Sequence, residues 1–431
     1  MRAAQRLSFM TAGMTAVALA VTACGAGSSS SGASADGSAT SLSIMSKYTA
    51  ATAEGKAFRK QVKAFTASTG IKVNIQEGGE SLGDAYETSL AAGKEPDVIS
   101  VNLFDKSTGW LANGATVDVT DYIDQWGLRD KIQPEAIKQW TNADGQVQGF
   151  PFSSFSWPVW YNKTLLAKAG IKQPPTTVDE LIADAAALKA AGIGPMAVGG
   201  SDFSGEKFFL QVAQQFMVPK DAQKLFAKGG FCGNADAMKG IDLFVKLRDN
   251  GVFVKDVQGY TADMMDTAFY TQKVAIMPAG SWAFNNTPKD VRPNVVLGGL
   301  PLPSGGTYHK PTAYRGYTGS GWWISPNGKK NIGAVKKFIT SFYAQSVIAD
   351  FVGSGNMIPA AVLNDPKAAK NPLQQNAINN LPGSVDFAVM PDIYVPATVT
   401  NSLTQATASA FGPGSKSKDI CAAVDRVYAA G

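Results

Sequence analysis

Reactive side chains are what this 431-residue chain has least of: one histidine, His309, and three cysteines, Cys24, Cys232 and Cys421. Zinc ligation and much acid–base catalysis draw on those two residue types, so both chemistries are poorly supplied. Motifs that grip phosphate are missing as well. The pairs Gly78-Gly79, Gly229-Gly230 and Gly305-Gly306 lack the strand-to-helix setting and the following Lys-Ser/Thr that a phosphate cradle requires. His309 stands alone between Tyr308 and Lys310 and reads as a solvated side chain, so no metal site and no cofactor is expected. Charged residues make up only 17% of the chain, with no Lys/Arg block of the kind that marks a nucleic-acid partner.

What is there begins with an export signal. Arg2 and Arg6 precede an uncharged stretch from Leu7 to Val21, shorter than the roughly 20 residues a membrane span needs. Val21-Thr22-Ala23-Cys24 resembles the bacterial lipobox, which predicts a signal peptide over 1–23 and lipidation of Cys24. The Ser/Gly/Ala-rich segment 24–39 predicts a flexible tether with a reach of about 20–25 Å. A chain held this way is anchored at the outer face of the cell membrane rather than spanning it. Loss of 1–23 removes two arginines and no acid, lowering the formal charge from +5 to +3. With Cys24 lipidated, Cys232 and Cys421 form an even remainder in an exported chain; a disulfide and two buried thiols are the alternatives.

Beyond residue 40 the hydrophobic period switches repeatedly. Leu42–Met45 reads as a strand, Phe58, Val62 and Phe65 recur at helical spacing up to Gly70, and Ile71–Ile75 alternates as a strand. Leu82–Ala92 reads as a helix and Pro96–Val101 as the next strand. That succession predicts an α/β unit with a largely parallel sheet, whose ligands bind beyond the carboxyl ends of the strands. The Lys47–Glu54 loop, the Glu77–Ser81 loop and Asn102–Asp105 then share one rim. Further on, Thr177 with Glu180 predicts a capped helix over Val178–Ala190, and helices follow at Glu206–Phe216, Ala235–Asn250 and Ala262–Tyr270.

Aromatic residues supply the positive signal. Trp160, Tyr161 and Trp322 read as core. Trp157, Trp282 and Trp323 have Ser, Pro and Gly neighbours, which suits flat rings set at element ends to cover the apolar face of a sugar. Glycoside hydrolysis is the enzymatic alternative, because it needs only two carboxylates about 5–9 Å apart. Asp84, Asp97, Asp105 and Glu80 are the acids available, but Asp97 at a strand start and Glu54 near a helix start suit amide capping instead.

Several segments, in this order, resemble one family. They are Gly149-Phe-Pro-Phe152 through Val159-Trp-Tyr-Asn-Lys163, Pro175-Thr-Thr-Val-Asp-Glu-Leu181, Phe269–Met277 with Gly280-Ser-Trp282, Pro326–Phe342, and Gly355–Ala360. Gln272 stands where the family usually has glycine. The chain is identified as a member of the extracellular solute-binding proteins of bacterial ABC sugar importers, similar to maltose-binding protein. The resemblance implies a periplasmic-binding-protein-like type II fold: two discontinuous α/β lobes around a hinged cleft, 40–151 with 284–324 and 152–283 with 325–431. Both Cys232 and Cys421 then fall in the second lobe, which favours the bridge. It implies a monomeric, non-enzymatic protein that captures a disaccharide or short oligosaccharide and hands it to a membrane permease. Trp157 and Trp282 would stack on the sugar from the second lobe and Trp323 from the hinge. Asn102, Asp105, Glu80 and Arg315 would take hydroxyls, and Tyr48 would close the first loop. A secreted hydrolase or a carbohydrate-binding adhesin is the alternative.

Overall fold

Two sheets carry the chain through both halves of the molecule. The computed structural model describes residues 40–431 apart from 79–81 and 356; the expected signal peptide and tether, Cys24 and Glu80 lie outside the described residues. The first sheet begins with β1 (Ser41–Ser46), which pairs in parallel with both β2 (Lys72–Glu77) and β3 (Val98–Val101). The connecting helix Ala53–Thr69 starts at Thr52, whose hydroxyl accepts from Gly55 N, and stops at Gly70, whose φ of 73° suits glycine. Its Phe58, Val62 and Phe65 lie on one buried stripe against the sheet.

β4 (Phe150–Trp157) belongs to the first sheet, and after Pro158 the chain continues as β5 (Val159–Asn162) in the second. The second sheet is completed by β6 (Gly194–Met196), β7 (Val274–Pro278) and β8 (Val295–Gly298), in the order β6-β7-β5-β8. β9 (Thr312–Ile324) is long enough to run the length of the first sheet. It pairs antiparallel with β3 at Gly321–Ile324 and with β4 from Trp322 to Tyr314. β10 (Ile358–Pro359) borders β4, and β11 (Asp386–Ala388) adds in parallel to β9. This is the two-lobed α/β binding-protein fold that the resemblance implied.

Two stretches lie in different lobes from those expected. Helices Ile332–Phe342 and Gln345–Gly353 pack in the first lobe, where Trp322 and Phe342 have ring centroids 4.4 Å apart and Phe65 meets Phe338 at 5.3 Å. The cause is topological. β9 ends inside the first sheet, so the helices that follow Ser325 cover that sheet. Conversely, Phe284–Leu300 packs with the second lobe, because β8 pairs with β5. The expected boundaries at Phe284 and Ser325 are corrected accordingly.

Local chemistry matches the elements closely. Thr177 and Glu180 form the expected capping box on Val178–Ala190. Gln272 takes a φ of 56°, the left-handed conformation in which glycine is at ease, which accounts for the glycine expected at this position and not for the glutamine found there. Cys232 and Cys421 are disulfide-bonded across 189 residues, tying the C-terminal helix Ser417–Ala430 to the turn before helix Ala235–Asp249. Asp425 on the same helix accepts from the amides of Gly230, Phe231 and Cys232 at 2.7–3.0 Å, which holds the turn beside the bridge.

Candidate functional site

An aromatic wall forms where β4 and β9 leave the first sheet. Phe155 and Trp157 point to one face of β4, opposite Gly316 and Tyr314 of β9. A Cβ on Gly316 would come within 2.2 Å of the Phe155 ring, so only glycine lets that ring lie against the strand. Trp282 comes from the short helical turn Ser281–Phe284 and covers Gly280, where a Cβ would sit 2.1 Å from the indole. Its ring centroid is 5.0 Å from Trp157 at 81° and 5.8 Å from Phe155 at 67°. Phe203 completes the wall at 5.9 Å from Trp157 and 6.4 Å from Trp282.

Exposure divides these rings by task. Trp157 is 5% exposed and serves as an edge-on buttress, whereas Trp282 and Phe203 are 48% and 46% exposed and offer open faces. Tryptophan and phenylalanine seldom stay that open in a packed domain without a reason.

Polar groups gather at the carboxyl ends of β1 and β3. Lys47 Nζ donates to Asn102 Oδ1 at 2.5 Å and to the Gly319 carbonyl at 2.9 Å. Burial pulls the Lys47 pKa down, with Glu54 opposing the shift. Glu54 is in turn pushed up by burial, against the pull of Lys47. Both of these acceptors are neutral, a side-chain amide oxygen and a backbone carbonyl. Beyond Gly319 on β9, the Thr318 hydroxyl donates to Asp392, which lies 3.4 Å from Lys207 Nζ.

The expected site residues fall into three groups. Trp157 and Trp282 are in contact, and Asn102 joins the polar end. Tyr48 and Trp323 are core residues, contrary to expectation. Tyr48 is 1% exposed, packs against Phe58, Trp322 and Phe351, and shares a 2.7 Å hydrogen bond with Ser320. Trp323 is wholly buried between Trp140 and Trp110 at 4.9 and 5.6 Å. The first sheet is covered on both faces, so neighbouring residues of β9 both turn into apolar surroundings. Arg315 alternates to the face of β9 opposite Tyr314, with its guanidinium 4.2 Å from the Phe387 ring, away from the aromatic wall. Asp105 opens the short helical turn Asp105–Gly109 just after Asn102.

Phe203 and Lys47 were missed. Phe203 is the first residue of helix Phe203–Ala213, capped by Asp202, which accepts from Ser204 N at 2.9 Å. Reading that helix from Glu206 left Phe203 in a loop, although Asp202 is an available cap signal. Lys47 lies in the rim loop that was anticipated but was not singled out.

Two of the four acids suspected of hydrolysis have structural partners. Asp97 accepts from Ser43 N and Asn331 Nδ2, both at 2.7 Å, and so stitches β1 to the turn before helix Ile332–Phe342. Asp84 is an exposed partner of Lys106. No group of three or more His, Cys, Asp or Glu residues suited to a metal is present among the described residues.

A two-lobed α/β fold with half-exposed rings and a polar rim between its crossing strands defines a binding protein. Comparison with known proteins agrees. Residues 49–347 match the model for bacterial extracellular solute-binding proteins, and the chain belongs to that family. It is a solute-binding protein, not an enzyme. A putative binding protein of Brucella abortus (strain 2308) is 27% identical over 282 residues, which are 64% of each chain. The chain thus spans about 64% of the length of these curated relatives. Among solved structures, a probable secreted solute-binding lipoprotein from Streptomyces coelicolor is 37% identical with a TM-score of 0.84, covering 91% of this chain and all of its own. A chitin oligosaccharide binding protein is 25% identical with a TM-score of 0.76, covering 91% of this chain and 98% of its own.

Proposed function

We propose that this protein captures a disaccharide or short oligosaccharide between its lobes and delivers it to the permease of an ABC importer. The single observation that carries the reading is the pair of half-exposed rings, Trp282 and Phe203, braced by buried Trp157. Sugar rings present apolar C–H faces that stack on such surfaces while their hydroxyls seek polar partners. Lys47 and Asn102 supply those partners from the first lobe, and the chitin oligosaccharide binding protein lends support as a relative of similar fold. Closure of the lobes removes water from around the sugar and strengthens each polar contact. Delivery is then a population shift, with the permease recognising the solute-closed form.

Cys24 is the proposed lipid anchor, holding the protein at the outer face of the membrane through 24–39. A thermal-shift screen of the purified protein against xylo-, cello-, malto-, chito- and galacto-oligosaccharides tests the sugar reading. A saccharide that binds only the folded state raises the midpoint by mass action, and a panel without any shift overturns the reading.

A further inference from the structure

The two lobes are joined by a buried polar chain that the sugar-binding reading does not require. Thr318 lies midway along β9, and its carbonyl accepts from Leu103 N at 2.9 Å, which fixes its backbone in the first lobe. Its hydroxyl donates to Asp392 Oδ2 at 3.3 Å. Asp392 sits in the short turn Pro391–Ile393, between Ile393 packed on the first core and Val395 in the second. The other oxygen of Asp392 is 3.4 Å from Lys207 Nζ, on helix Phe203–Ala213 of the second lobe. Lys207 also donates to Glu206 Oε1 at 2.8 Å, and Glu206 Oε2 accepts from Thr404 at 2.6 Å.

These side chains have little contact with water: Glu206, Thr318 and Lys207 are 1%, 2% and 8% exposed. Burying three charges costs desolvation that apolar residues of similar size would avoid, so a buried ionic group is better explained by a specific arrangement than by stability. The arrangement here is interlobar. One oxygen of Asp392 answers to the first lobe and the other to the second. The helix that supplies Lys207 also begins with Phe203, one turn earlier on the same face, so the exposed ring of the wall and the cation of the chain ride on one rigid element.

We propose that Asp392 is an interlobe latch, held by Lys207 and closed by the Thr318 hydroxyl, that sets the balance between this arrangement of the lobes and a more open one. The latch is read on the empty protein, so its failure is distinct from failure of the sugar reading, on which it rests only for its effect on solute release.

Single-molecule energy transfer on the full chain tests it, with dyes on non-canonical amino acids at exposed Lys63 and Lys224, one in each lobe. Thr318→Val removes the hydroxyl while keeping the branched shape, and Thr318→Ser restores the hydroxyl. The expected result is a dominant short-distance population with a minor long-distance fraction in the wild type and in Thr318→Ser. Thr318→Val is expected to raise the long-distance fraction at least about threefold, which is a modest bias on a two-state equilibrium. Asp392→Asn moves the population in the same direction. A lower melting point for Thr318→Val with an unchanged distance distribution identifies a merely structural bond and overturns the latch. A wild type that occupies only the longer distance, or a Thr318→Ser that behaves as Thr318→Val, overturns it as well.

Discussion

The first core and the interlobe wall use the same rings for opposite ends. In the core, Trp110, Trp140, Trp322 and Trp323 are enclosed to within 2% of full burial; Trp323 packs between Trp110 and Trp140, and Trp322 packs against Phe58, Phe338 and Phe342. In the wall, only Trp157 is enclosed, and it supports Trp282 and Phe203 with half their surfaces open. Hydrogen bonding divides the core rings among themselves: the indole nitrogens of Trp110 and Trp140 donate to Glu87 and to the Tyr317 carbonyl. The indole nitrogens of Trp322 and Trp323 are buried without a partner, so packing alone holds those rings in place. A ring in the core thus serves stability, and a ring on the wall keeps a face open, which the proposed function gives to the sugar. Residue type does not distinguish them; what surrounds the second face of the ring does.

Substitution separates the two regions, and the largest effect belongs to the core. Trp323→Ala leaves a cavity between Trp110 and Trp140 and is expected to cost about 3–5 kcal/mol in urea unfolding. A loss below about 1 kcal/mol would show that Trp323 is not part of the core, and would return it to the site.

A smaller effect comes from a carboxyl on the second-lobe side. Asp266 is pushed up to about 7, first by burial and then by Asp263, with Tyr270 opposing and Asp202 adding to the rise, and its Oδ1 is buried without a partner. A carboxyl whose folded pKa lies above its unfolded value binds its proton more tightly when folded. Stability is therefore lost as pH climbs from the unfolded value, about 4, through the folded value, and stays lower above it. Asp266→Asn is expected to raise stability by roughly 1–2 kcal/mol at pH 8, after allowance for partial exposure, and to change nothing near pH 3. Thermal melts at the two pH values check this, and an equal shift at both would remove charge as the cause.

Much of the fold was legible because local signals and tertiary structure agree. The capping box at Thr177 and Glu180, the stripe of Phe58, Val62 and Phe65, and the stop at Gly70 each follow from a short stretch of chain. Helix Pro219–Lys228 was passed over although Pro219 occupies a favoured starting position and Gly229 follows the end. Lobe membership was less accessible, because it depends on β8 choosing β5 and β9 ending beside β3, pairings between residues more than a hundred apart. The site was half legible for the same reason. Trp157 and Trp282 stood out by their loop-forming neighbours, whereas Trp323 has similar neighbours in sequence but lies in a strand covered on both sides. Phe203 was hidden by a helix start read three residues late, and Lys47 by the absence of any local motif around it.

The smallest change in stability should accompany the largest change in function. Trp282→Ala removes a half-exposed ring and should alter unfolding by no more than about 1 kcal/mol. Isothermal titration of the wild type and Trp282→Ala with the saccharide that gives the greatest thermal shift is the direct test of the account. A dissociation constant weakened about tenfold or more, equivalent to about 1.4 kcal/mol of lost stacking, with the fold intact, is the predicted result. Equal affinity in the two proteins would contradict the assignment of the sugar to the aromatic wall.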